Sequence, residues 1–154
     1  MEGRPRTRAA LSESALANTV LALGVFHVLF GGWQFFANES FFEHVGRYGA
    51  ENTHYVGDVG SATLAVGIAL CVAAGRRTWR APILFLAGIW YVLHAINHVF
   101  DIDENMISDF RGTLDTILLA IVAVLLLWLA RVAQVIDEGV EGERPGREAE
   151  EPSR

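Results

Sequence analysis

Four apolar blocks, at residues 15–37, 55–75, 81–100 and 112–132, decide what this chain can fold into. Each is close to the roughly 20 residues a helix needs to cross a bilayer. Apolar residues run on through the blocks instead of falling at amphipathic spacing, so they read as membrane spans rather than helices of a water-soluble core. A hydrophobic content of 52% is high for a soluble domain of 154 residues. The spans use most of the chain, which places function in the bundle or its short loops. The expected fold is all-α: a four-helix transmembrane bundle, up-down-up-down, over residues 15–132.

Orientation follows from the basic residues of the short loops. All twelve are arginine. Arg4, Arg6 and Arg8 precede the first block, Arg76, Arg77 and Arg80 fill the turn between the second and third, and Arg131 ends the fourth. The other two loops hold only Arg47 and Arg111, among Glu39, Glu43, Glu51, Asp101, Asp103, Glu104 and Asp109. Both termini are therefore expected to be cytoplasmic. Lysine is absent while Ala, Gly and Val abound, a usage that suits a GC-rich bacterial genome and points to a multi-pass protein of the bacterial plasma (inner) membrane.

The first block has a basic start but outruns a signal-peptide core and contains His27 and Gln34, so it reads as a retained helix behind a cytoplasmic segment, residues 1–14. Residues 133–154 are rich in Glu, Arg, Gly and Pro and lack aromatics; they read as a disordered cytoplasmic tail, with 131–136 prolonging the last helix by a turn. Trp33, Phe35 and Phe36 mark the outer boundary, with Phe41, Phe42 and Tyr48 in the loop that follows, and Trp79 and Trp128 mark the inner one. The loop at 38–54 is expected to hold a short interfacial helix.

Ionisable groups within lipid are costly and need an explanation. The third block carries His94, Asn97, His98 and Asp101 at i, i+3, i+4 and i+7, one stripe on one helical face. The second opens with His54 and Asp58, and the fourth with Arg111 and Asp115, each pair at i, i+4. In the first, Gly24, His27, Gly31 and Gln34 share a stripe in which the glycines allow close helix approach. With the spans oriented as above, His54, Asp58, His98, Asp101 and Asp115 fall within about two turns of the outer interface, His94 a turn deeper and His27 near the middle.

Two readings follow. In the functional one, His94 and His98 present their imidazoles to one divalent metal, zinc or iron, and His54, Asp58 or Asp115 completes the shell, with Asn97 or Asp101 orienting an imidazole. Such an outward-facing pocket would serve a membrane-bound hydrolytic or redox step. In the other, the same groups form a structural network: His98 and Asp101 near the helix end, Arg111 paired with Asp115, His54 at the wet interface. Haem is a lesser expectation, with His27 and His94 as the only deep pair. A proton-coupled transporter would use Asp58, His94 and Asp115, but the inner half lacks titratable groups. A third class is a non-catalytic accessory or assembly subunit of a larger respiratory-type complex, or a homo-oligomer, packed through Gly57, Gly60, Ser61 and Ala65. The single cysteine, Cys71, reads as a packing residue. Glycine phosphate loops, Gly-x-Ser-x-Gly, Cys-x-x-Cys and His-Glu-x-x-His are absent, and the basic residues are too few for nucleic acid.

The Gly-rich first span, His27-Val28-Leu29-Phe30-Gly31-Gly32, followed by the aromatic outer loop Phe41-Phe42-Glu43-His44, resembles the small bacterial four-helix membrane proteins called DoxX-like. The resemblance covers about residues 15–132. It implies the same fold and, through some members of that group, a link to quinone or thiol oxidation. It assigns no role to the stripe His94-Ala95-Ile96-Asn97-His98.

Overall fold

The computed structural model of the protein describes residues 11–103 and 108–142. They form α1 (Glu13–Phe36), α2 (Asn38–His44), α3 (Thr53–Gly75), α4 (Arg77–Asp103) and α5 (Asp109–Gly142), with no strand among the described residues. All but α2 are long and apolar enough to cross a membrane. The start of α1 is fixed by Ser12, whose hydroxyl accepts from the Ala15 N–H at 3.2 Å, and that of α3 by Asn52, whose Oδ1 accepts from the Tyr55 N–H at 3.0 Å. These side chains satisfy backbone donors that a first turn leaves unpaired. The short helix expected in the outer loop is α2, whose Phe41 packs edge-on against Phe30 and Trp33 at ring separations of 5.2 Å.

Glycine decides how α1 meets α3. A Cβ on Gly24 would stand 2.7 Å from the Cys71 nitrogen, one on Gly31 2.4 Å from that of Leu64, and one on Gly60 2.7 Å from that of Phe35. The pairing runs backwards along α3 as it advances along α1, so the two helices are antiparallel with their backbones in near contact. Cys71 lies in this seam, as a packing residue should. Its partner pair, α4 and α5, is also antiparallel: Gly88 receives Leu127, and at the far end Arg77 meets Asp137.

The interior divides by polarity. At the arginine-bearing end Leu16, Val20, Leu70, Leu84, Leu126 and Leu129 are fully buried and form a dry core. At this end too, Arg80 is buried and donates from Nη2 to the Ala74 carbonyl at 2.9 Å and from Nε at 3.4 Å to that of Ala73, which also accepts from the Arg76 N–H, so the guanidinium caps the end of α3. Arg77 donates from Nε to Asp137 Oδ1 at 2.5 Å and from Nη2 to the Ile136 carbonyl at 2.6 Å, and reaches Glu13 at 3.3 Å. The opposite end holds the polar interior.

The sequence boundary at 132 is corrected here. Helix α5 continues to Gly142: its apolar face runs on through the buried Val132 and Ala133, and Arg77 ties down the next turn through Asp137. Residues 133–142 are thus helical rather than a disordered tail. Arg4, Arg6, Arg8, Glu104 and residues 143–154 lie outside the described residues.

Candidate functional site

At the end away from the dry core, the loop between α2 and α3 carries one side chain into the helix bundle. That side chain is Tyr48. Its backbone N–H donates to the Gly46 carbonyl at 2.8 Å, and Gly49 follows at φ 62°, a left-handed conformation that glycine adopts without the Cβ penalty. Arg111 of α5 donates to the Val45 carbonyl and holds the loop from the other side. The loop so shaped places Tyr48 Oη 2.7 Å from His98 Nδ1 on α4 and 2.6 Å from Asp115 Oδ2 on α5.

Proton accounting orders this chain. The carboxylate of Asp115 only accepts, so the Tyr48 hydroxyl donates to it. The Tyr48 oxygen can then receive one proton, which His98 supplies as Nδ1–H. Neutral His98 therefore keeps its lone pair on Nε2. Burial first, and then the hydrogen bond to Asp115, push the Tyr48 phenol well above its ordinary pKa, so it stays protonated and the order is fixed. Arg111 Nε stands 3.9 Å from the same Oδ2 of Asp115 and compensates its charge.

Beyond His98, the aromatic face of α4 continues inward. The His98 ring meets Tyr48 edge-on at 4.6 Å and His94 edge-on at 4.8 Å, and His94 stacks on Trp90 at 5.7 Å with 9° between planes. One level deeper, buried His27 uses both nitrogens. Nδ1 lies 2.7 Å from the Leu23 carbonyl, which can only accept, so Nδ1 carries the proton and Nε2 accepts from the Tyr91 hydroxyl at 2.8 Å.

The expected metal shell is only partly assembled. His94 and His98 lie ring to ring at 4.8 Å, but Asp115 reaches His98 only through Tyr48 and does not complete a ligand set, and one nitrogen of His98 is committed. His54 and Asp58 are not part of the group: they pair only with each other, at 3.6 Å, with side chains 89% and 69% exposed. They line a shallow groove with Phe35, Asn38, Thr53 and Gly57, because the inward face of α3 is occupied by Gly60, Thr63 and Gly67 against α1. Asn97 is exposed and donates to Asp101 at 3.4 Å, so this pair flanks the site without orienting either imidazole. Among the described residues no three His, Cys, Asp or Glu side chains are grouped to hold a metal ion. Two imidazoles without a third donor do not fit a zinc or iron centre. Haem ligation by His27 and His94 meets a different obstacle, since His27 has no lone pair to spare.

Arg111 and Asp115 pair as their spacing suggested, and Gln34 is buried on the inward face of α1 with its Oε1 enclosed and unpartnered. Sequence reasoning missed Tyr48 as a site residue and treated it as a boundary aromatic. Its one local signal is the glycine on its C-terminal side, Gly49, which marks a turn able to direct a neighbour inward.

Four helices long and apolar enough to cross a bilayer make this an integral membrane protein. Within that class the chain belongs to DUF6790, a family of unknown function, whose model matches residues 1–135. No curated protein and no solved structure matches the chain.

Proposed function

We propose that this is a multi-pass protein of the bacterial plasma membrane, with its arginine-rich end cytoplasmic and its acidic end outward, and that the outer end carries a proton-exchanging binding site in which His98 Nε2 is the acceptor. Arg76, Arg77 and Arg80 of the α3–α4 turn support this orientation. The reading rests on one observation: the hydrogen-bond chain from His98 Nδ1 through Tyr48 Oη to Asp115 Oδ2.

A ligand X–H beside His98 would lose its proton to Nε2. An N–H bond forms there as the X–H bond breaks, and the imidazolium charge is met through Tyr48 by the Asp115 carboxylate. Tyr48 and Asp115 touch no ligand in this scheme; they are positioning residues that fix the His98 tautomer. Exchange is one-sided, because the dry core of Leu16, Val20, Leu70, Leu84 and Leu126 separates the site from the arginine-rich end. This weighs against a proton-coupled transporter. Of the small residues behind the accessory-subunit reading, Gly60 is spent against Gln34 and Phe35 within the bundle, while Ser61 and Ala65 stay exposed.

The test is nitrogen NMR on histidine-labelled protein in lipid nanodiscs. His98 should carry its proton on Nδ1, bind a second one reversibly at Nε2 as pH falls, and lose its tautomer preference in Tyr48→Phe. A neutral His98 protonated on Nε2, with no response to Tyr48→Phe, would sink the proposal.

A further inference from the structure

Among the described residues of the polar half, Gln34 is the one group whose burial is unexplained. It is 6% exposed, and its Oε1 is enclosed without a hydrogen-bond partner. An enclosed acceptor without a donor keeps its desolvation penalty uncompensated, and buried side-chain amides are rarely left so. Local packing gives no reason for an amide here: α3 approaches through Gly60, which would accept an apolar neighbour as readily.

Register supplies the missing context. Helices α1 and α4 run in the same direction, each antiparallel to α3, and they touch across the bundle where Tyr91 donates to His27. Gln34 lies seven residues beyond His27 on α1, and His98 seven beyond Tyr91 on α4. Two turns, about 10 Å of rise, carry both to one level, on the same inward faces that brought His27 and Tyr91 together. Both are buried there, at 6% and 9% exposure. The level thus holds two acceptors, Gln34 Oε1 and His98 Nε2, and no donor assigned to either.

From this we infer that Gln34 is the second hydrogen-bonding group of the His98 site, and that the site takes a ligand with a primary amine head. A single nitrogen carrying two or more N–H bonds can donate to both acceptors at once. With Gln34 Oε1 turned to the site, a carboxylate or phosphate would meet two lone pairs, and Arg111 is already engaged with Val45 and Asp115. The acidic loop residues Glu39, Glu43 and Glu51 raise the local concentration of cationic amines at the outer surface. Seating the amine turns the Gln34 side chain from its enclosed rotamer toward His98. This inference rests on His98 keeping its acceptor at Nε2.

Hexylamine, hexanol and hexanoate, titrated into nanodisc protein labelled at His and Gln side chains, provide the test. Hexylamine should shift His98 Nε2 and the Gln34 amide together and saturably, hexanol should bind at least about ten-fold more weakly, and hexanoate should leave both unchanged. Gln34→Leu, which removes an enclosed acceptor and should fold, is expected to weaken hexylamine about ten-fold while the His98 Nδ1–H signal persists. Equal binding of hexylamine by Gln34→Leu, equal affinity for hexanol or hexanoate, or an amide N–H of Gln34 found bonded to His98 Nε2 in the free protein would each overturn the inference. These results leave the Tyr48–His98 order intact, so its failure and that of the proton-exchange reading can be told apart.

Discussion

Tyr91 and His27 join two helices across the bundle: the phenol of α4 donates to Nε2 of the α1 imidazole at 2.8 Å, and the Leu23 carbonyl takes the other ring proton. Both side chains are buried, so the pair is a satisfied polar contact in an otherwise apolar section. Tyr91→Phe keeps the ring and deletes the donor, leaving an enclosed imidazole nitrogen without a partner. The expected loss is about 1–3 kcal/mol. Reversible unfolding in mixed detergent, comparing Tyr91→Phe with Tyr55→Phe at an exposed position, reads it; equal stability of the two variants would show that His27 finds another donor.

The α1–α3 seam makes a sharper steric prediction. A methyl on Gly31 would stand 2.4 Å from the Leu64 nitrogen, backbone that cannot step aside, whereas one on its neighbour Gly32 meets nothing within 4 Å. Gly31→Ala must push the helices apart and is expected to cost about 1–3 kcal/mol or more, as overpacking does. Gly32→Ala should be neutral or slightly stabilising, alanine being the better helix former. Thermal unfolding of the two variants separates them, and matched midpoints would contradict the close approach.

How much of this was legible beforehand varies with the range of the cause. The spans were readable because continuous apolar runs act locally. The stripe on α4 was readable from helical period alone, and so was the Arg111–Asp115 pair. Which edge of each stripe turns inward was not, because neighbours decide it: the glycines of α3 take its inward face, and His54 and Asp58 rotate out with the opposite one. Likewise His98 is buried while Asn97, one residue earlier, is exposed. Tyr48 was the least legible, since its place depends on the turn at Gly49 and on Arg111 gripping the Val45 carbonyl from 66 positions away. The end of α5 was misread for the same reason, its anchor Arg77 lying 60 positions from Asp137.

That anchor is testable. Arg77 and Asp137 are partly buried, with 25% and 27% of their side chains exposed, so the pair is worth more than a fully solvated one but less than a dry one. Asp137→Asn should loosen the turns of α5 beyond Ala133. Faster amide exchange over residues 134–142, with rates around Leu119 unchanged, is the expected pattern; unaltered exchange would mean the apolar face alone holds this segment.

Alkaline stability offers a separate check on Tyr48. Its phenol is held protonated in the folded protein, chiefly by burial and then by Asp115, whereas in the unfolded chain it titrates near pH 10. A group whose folded pKa is raised contributes stability that is complete below the unfolded value and is lost as pH climbs above it. Tyr48 should therefore support the fold fully up to about pH 10, and its contribution should fall beyond that point as the unfolded chain gives up the proton that the folded one retains. Tyr48→Phe has no proton to lose, so its stability curve should lie below the wild type at pH 8 and run flatter from pH 10 to 11. Unfolding midpoints collected across that range decide the matter: parallel curves would mean that Tyr48 is solvated and does not donate to Asp115.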